Sequence, residues 1–524
     1  MTGGRTQCRA RHVGAVFLVL LLLGTVHLGG GDAAVTLRLV QVLHRHGARS
    51  TTVSYNESQL CGDVPCGYLN VPGQNMLINA GTFLREHYNS DPANQFFPSE
   101  SYDLDVAYTR STDVPRTLQS AEGLLRGLFP NMSAFFPAVH TVDRGTDWLL
   151  RSDVIPHNIA FGSLDKQWKR NACNPMVDSL IDFATLQSVA KEAFSEGYCA
   201  NQEERCDCAA QLFDIGAALD ADGRISAFPL LKANLEKLSA LVQFSFGVKF
   251  GYNASNDRNV KMGSQGQNFV QQVLSNAQLH MQGQSTYKLY HYSAHDTTLS
   301  PVAATLRDTT PDAALPPFGQ LYAFELLYDD SANAYSMRVR RGKPGQTPES
   351  NYAFAWDDFQ LKCMSSDGTV YNATNNTCPY YDFQRLVDST KPKDPAGLCY
   401  LDDEYKSLFD CPTEEGQSPN SNCQDYRRVC PASSCGDGHI LNQVTLQCVC
   451  SSASCMSRSE GNGNGNGNSG GASNGSSVSV AATVWISSVS FVLGSALTAI
   501  VLVLCKKGDS WKSLVDSALE LEQC

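Results

Sequence analysis

The sequence predicts an α/β fold: a three-layer core with a central mixed, mostly parallel sheet, and a mainly helical cap inserted over it. Three observations predict it. The first strand-like run is apolar on both faces. Strand-like runs are followed by helix-like runs three times over. A long stretch from about 140 to 265, mostly helical in pattern and carrying several Cys, interrupts that alternation.

Each element has its own signal. Val35, Leu37 and Leu39 alternate with polar residues, and Val40, Val42 and Leu43 then make the run apolar on both faces. That pattern predicts a buried parallel strand over Val35 to Leu43. Gln74 to Tyr88 reads as a helix, and Leu104, Val106 and Tyr108 alternate as a second strand. Leu118, Ala121, Leu125 and Leu128 fall on one helical face, with Ser111 or Thr112 as the expected cap. Tyr287 to Tyr292 predicts a third strand, and Leu299, Val302 and Leu306 a helix beginning near Asp296. Phe324 to Tyr328 and Tyr335 to Val339 are later strands. The catalytic-type domain is expected over 34–385, and a Cys-rich extension over 386–456. Residues 457–477 are rich in Gly, Asn and Ser, the composition of a flexible tether.

The chain ends and the cysteines speak to compartment. Arg5, Arg9 and Arg11 precede an apolar run from Val13 to Val26 and small residues at Gly31-Asp32-Ala33, the layout of a secretory signal over 1–33. A second apolar run, 478–504, carries no charge and is followed by Lys506 and Lys507. It is long enough to cross a bilayer, with 505–524 as a cytoplasmic tail. The expected topology is a single-pass type I membrane protein, its domain lumenal or extracellular, at endosomal, lysosomal or plasma membranes. Of 19 Cys, 16 lie between Cys61 and Cys455, the even number of a disulfide framework. No His clusters with Cys206-x-Cys208 or Cys448-x-Cys450, so bridges are favoured there over metal. Sequons stand at Asn56, Asn131, Asn253, Asn372, Asn375 and Asn474. A net charge of −12 without a basic stripe argues against a nucleic-acid partner.

Three constellations carry chemistry. Arg45-His46-Gly47-Ala48-Arg49 follows the first strand, Arg110-Ser111-Thr112-Asp113 the second, and His295-Asp296-Thr297-Thr298 the third. All sit where a strand gives way to a helix. Ligands of open α/β sheets bind there, and helix N-termini there suit an anion. Arg45, Arg49 and Arg110 offer planar forks that match phosphate. His46 lies between two of them, and a histidine in a positive field stays neutral and nucleophilic. Asp296 is the natural proton donor to a leaving alkoxide and later the acceptor from water, with His295 a further donor to the phosphoryl oxygens. No cofactor or metal is called for. The chance occurrence of R-H-G-x-R in such a chain is on the order of one in a few hundred. Asp113 and Arg116 read as a local salt bridge that shapes the second loop.

These residues resemble the histidine acid phosphatases, the branch of the histidine phosphatase superfamily that includes lysosomal and prostatic acid phosphatases and phytases. The matching stretches are LVQVLHRHGARS, YTRSTDVPRTLQSAEGLLRGLFP, and KLYHYSAHDTTLS followed by FELLY. The resemblance spans 35 to about 330, and implies an α/β core with a helical cap. It implies His46 as nucleophile, Asp296 as proton donor, and Arg45, Arg49, Arg110 and His295 as phosphate ligands. It also implies a small phosphomonoester as substrate, and a homodimer as in many members. One departure stands out: where the family commonly has Pro, this chain has Thr51, which bears on loop rigidity. Two other functions stay open. One is a dedicated inositol-phosphate or lysophospholipid phosphatase; Arg85 is the single basic residue between Arg49 and Tyr102 apart from His87, which leans against a polyanion pocket. The other is a non-catalytic receptor on the same scaffold, disfavoured by the presence of both His46 and Asp296.

Overall fold

A computed structural model describes residues 35–451, apart from 54–56, 135, 195–196, 413–416 and 437. Its centre is one mixed sheet of eight strands. Strands β1 (Val35–Arg45), β2 (Ala107–Ser111), β3 (Val139–His140) and β4 (Leu289–Ala294) form a parallel half in the order β1-β4-β2-β3. On the other side of β1, β5 (Leu321–Asp329) and β6 (Ala334–Pro344) add antiparallel, and the short strands Phe354–Trp356 and Thr377–Pro379 both pair with β6. The registers Val40 to Leu289 and Arg45 to Ala294 bring the ends of β1 and β4 level.

Three layers follow from the alternation of side chains. Helices α1 (Val71–Tyr88) and α2 (Pro115–Leu128) cover one face, against Val40, Val42, Ala107 and Ala323. The helical stretch 141–266 intervenes, built on α3 (Phe183–Ala193), α4 (Arg205–Ala221) and α5 (Pro229–Phe250). Helices α6 (Gln267–Met281) and α7 (Asp296–Thr305) then cover the other face, against Leu39, Leu43, Tyr292 and Phe324. Each face hides a full apolar set, which is why β1 reads as hydrophobic throughout. The first loop is pressed onto α1 by two glycines. A Cβ on Gly47 would collide with the Gly73 carbonyl, and one on Gly73 with the Ala48 carbonyl.

The cap has its own core, with Val177, Leu186, Leu212, Ile215, Leu231 and Leu238 buried together. Disulfides Cys173–Cys206 and Cys199–Cys208 close it, and Cys61–Cys66 closes the loop beneath. Residues 363–388 pack into the main core: Cys363, Cys378, Phe383 and Val387 are buried there. Residues 399–450 form a separate small cluster, in which Leu401, Tyr405 and Phe409 pack on Ala160 and Phe161 of the cap. Cys399–Cys430, Cys411–Cys423 and Cys435–Cys448 staple it, and Arg258 ties it down by a 2.5 Å ion pair to Asp402.

Several boundaries differ from expectation: β1 runs on to Arg45, β4 is Leu289–Ala294 rather than Tyr287 to Tyr292, α1 opens at Val71 rather than Gln74, and two more have a plain physical reason. The second strand begins at Ala107, and Leu104 lies exposed in the turn before it. Helix α2 begins at Pro115, with Val114 as a cap that supplies no side-chain bond. Pro115 fixes its own φ and leaves one fewer N–H to satisfy, so no hydroxyl cap is needed. The Thr112 hydroxyl is used elsewhere, on His295. The expected signal segment, tether, membrane span and tail lie outside the described residues, as do the sequons at Asn56 and Asn474. Among the described residues no helix is long and apolar enough to cross a membrane.

Candidate active site

The three constellations meet at the carboxyl ends of β1, β4 and β2. His46 N–H donates to the Ala294 carbonyl at 2.9 Å, and Gly47 N–H to Ser120 Oγ at 3.1 Å. The loop after β1 is thereby pinned between β4 and α2. His46 is buried, and its Nδ1 lies 2.9 Å from its neighbour's carbonyl, Gly47 O. A carbonyl only accepts, so Nδ1 carries the proton and Nε2 keeps its lone pair. Burial pushes the His46 pKa well down, and the charges of Arg116, Arg45 and Arg49 push it the same way. The neutral imidazole is therefore favoured over the imidazolium.

Four guanidinium-bearing residues behave differently around it. Arg45 makes a 2.8 Å ion pair to Asp296 Oδ2, donates to Pro316 O at 2.5 Å, and lies 4.3 Å over the Phe318 ring. Arg49 donates to Asp214 Oδ1 at 2.6 Å. Arg116, on the first turn of α2, is the leading charge acting on both His46 and His295. Burial and the nearby Arg49 lower its own pKa to about 10. The buried Nε atoms of Arg45, Arg49 and Arg116 have no hydrogen-bond partner in the protein. Three guanidinium charges acting on one bare imidazole nitrogen suit an oxyanion. Arg110, expected in this cluster, is instead engaged by the buried Asp147, although its Nε too is unpartnered.

His295 caps α7 and faces His46 edge-on, with ring centroids 5.6 Å apart. Its Nε2 lies 2.9 Å from Thr112 Oγ1, which lies 2.7 Å from Thr117 Oγ1. Burial, then the charges of Arg116 and Arg151, hold its pKa well down. Asp296 opens α7, accepts from Thr297 N–H at 2.8 Å, and keeps a fifth of its side chain exposed.

Two residues escaped the sequence reading. No salt bridge joins Arg116 to Asp113 among the described residues, and the Arg116 charge acts on His46 and His295 instead. Its place on the first turn of a helix that starts at the site was the available signal. Asp214, on α4, gave none: it lies 165 residues from Arg49. Besides Arg49, it accepts from Thr51 Oγ1 at 2.7 Å and Thr52 N–H at 2.8 Å. Burial opposes its charge, but Arg49 and these donors outweigh it and hold the carboxyl far below the usual range. The Thr51 hydroxyl thus ties the loop to the cap where a proline would have stiffened it.

Beneath the site lies a fixed tautomer chain. His44 Nδ1 is 2.9 Å from Arg45 O, so it carries the proton. His44 Nε2 is then an acceptor, and His291 Nε2, 2.8 Å away, must donate. His291 Nδ1 is left to accept from Thr109 Oγ1 at 3.5 Å. Both rings are fully buried, and burial lowers the His44 pKa to about 4 and that of His291 well down.

Comparison with known proteins agrees with this picture. The description of the histidine phosphatase superfamily (branch 2) matches residues 36–340. Lysosomal acid phosphatase of Xenopus laevis is 29% identical over 394 residues, covering 72% of this chain and 81% of its own. The Homo sapiens protein of that name is 28% identical, covering 74% and 86%. Prostatic acid phosphatase of Rattus norvegicus is 27% identical, covering 74% and 95%. Among solved structures, a Klebsiella phytase superposes with a TM-score of 0.51 at 16% identity, covering 70% of this chain and 100% of that one. That last likeness concerns the fold alone.

Proposed function

This chain belongs to branch 2 of the histidine phosphatase superfamily, and from that we propose that it is an acid phosphatase, hydrolysing phosphate monoesters through a phosphohistidine on His46. The observation that carries the reading is the bare Nε2 of a buried, neutral His46 among three guanidiniums with free Nε donors.

Arg45, Arg49, Arg116 and His295 hold the phosphoryl oxygens and take up the charge that develops on them. Arg110 acts behind them through Asp147, a different place from that expected of it. His46 Nε2 forms a bond to phosphorus as the ester P–O bond breaks, and Asp296 gives its proton to the departing oxygen. Water then attacks the phosphohistidine, Asp296 takes a water proton, and the P–N bond breaks. Alcohol and inorganic phosphate are released, and Asp296 is protonated again. Every role falls to a side chain of this protein, so a chelator is expected to leave turnover intact; loss of activity restored by zinc would contradict that.

The names of the relatives and the layout of the ends support an endosomal or lysosomal setting. The 1–33 segment directs secretion, the 478–504 run anchors the chain, and the domain faces the lumen or the cell exterior. The test of function is hydrolysis of a chromogenic aryl phosphate from acid to mildly alkaline pH, beside the His46→Ala form. Turnover that peaks in acid and vanishes in the variant is expected. Undiminished turnover in the variant would overturn the assignment.

A further inference from the structure

A groove of about 560 Å³ is lined in part by Arg45 and Phe318, which also border His46. Its walls are α4 and α5 of the cap, and its floor is the segment from Asp312 to Phe318. The Phe318 ring is 5.8 Å from that of His46, the nucleophile candidate, so the groove lies beside an ester held at His46. Phe213, Leu235, Pro316 and Pro317 give it an apolar lining.

Its charge is one-sided. Asp214, Asp220, Glu236 and Asp312 line it, and beyond Arg45 the single lining cation is Lys232. Asp214 is committed to Arg49, and Asp312 to Lys343. Asp220 feels both Lys232 and a further carboxylate, Glu349. The outer groove therefore sets Asp220 and Glu236 against one ammonium, with Glu349 acting on Asp220 from outside the lining. A polyphosphorylated leaving group needs a cation for each additional phosphate, and these walls offer it carboxylates.

We propose that this groove is the leaving-group subsite, and that it selects phosphomonoesters whose leaving group joins an apolar body to a positive charge. Asp220 and Glu236 are the specificity-determining residues. The proposal rests on the phosphatase reading above and names the substrate class of that same site.

An isosteric pair of esters tests it. Choline phosphate and 3,3-dimethylbutyl phosphate share a shape and differ by the quaternary nitrogen. The ratio of their kcat/KM values is measured at one fixed pH for the wild type and for Asp220→Asn/Glu236→Gln. Comparing ratios removes the intrinsic difference between the leaving groups. The double variant is expected to lower the ratio by about fivefold or more. An unchanged ratio overturns the proposal, as does an equal fall for both esters. Turnover of an aryl phosphate with neither alkyl ester accepted overturns it while leaving the phosphatase standing. No turnover of any ester overturns the phosphatase reading, and this proposal with it.

Discussion

At the scale of residues, the site divides labour by what each group's other hydrogen bonds allow. Gly47 O fixes the His46 proton on Nδ1 and leaves Nε2 with the lone pair that the proposed nucleophile needs. His46→Ala is expected to reduce turnover by on the order of 10⁴-fold or more, measured by steady-state hydrolysis. Arg116 and Arg110 separate the site from its support. Arg116→Ala removes a proposed phosphate ligand and is expected to cost on the order of 10²–10³ in kcat/KM. Arg110→Ala strands the buried Asp147 and is expected to lower stability more than chemistry. A larger kinetic loss at Arg110 than at Arg116 would reverse their places. Asp296→Asn is expected to slow alkyl phosphates far more than aryl phosphates, because only poor leaving groups need the proton; equal losses would remove Asp296 as the donor. The sequence made His46, Arg45, Arg49, His295 and Asp296 legible because each stands in a local pattern. Sequence spacing does not say which way a first-turn side chain points, so from the sequence Arg116 reads as half of a local ion pair.

At the scale of elements, the loop between β1 and α1 is held from three sides. Ala294 O fixes it to β4, glycine contact to α1, and Asp214 to the cap. Asp214→Asn removes the charge that holds Arg49 and weakens the bonds from Thr51 and Thr52. It is expected to destabilise the protein by about 2–3 kcal/mol and to raise KM, read from urea denaturation and initial rates. Thr51→Val removes one bond, and about 1 kcal/mol is expected. No change in either would show that the loop is held by its glycine packing alone. The strand and helix order was legible because both faces of β1 and one face of each helix repeat with the right period. The second strand was placed early because Leu104 extends the alternation into an exposed turn. The start of α2 was missed because proline, not a hydroxyl, opens it. The cap's tether joins residues far apart in the chain, and no local pattern carries such a contact.

At the scale of the whole molecule, the protein buries several imidazoles in neutral form. Burial lowers the pKa of His44 to about 4 and of His157 to about 3, and holds His46, His291 and His295 well below their usual value. The unfolded chain binds these protons near pH 6.5 while the folded protein does not. Their contribution is fully present above about pH 6.5 and is lost as pH falls toward 4 and 3. Folded stability is therefore expected to decline through the range in which an acid phosphatase works. His44→Phe paired with His291→Leu replaces the buried pair by apolar rings and chains, and is expected to flatten that decline. A thermal midpoint independent of pH between about 6.5 and 4 in the parent protein would contradict the burial of neutral imidazoles. The same burial favours the neutral form of His46, which joins stability to function. The most direct test of that chemistry is acid-free rapid quench of the enzyme with a phosphate monoester, followed by peptide mass mapping. A phosphoryl adduct on His46, accumulating in Asp296→Asn with an aryl ester and absent from His46→Ala, is the predicted result. Turnover of the ester without any adduct on His46, or with the adduct on another residue, would contradict it.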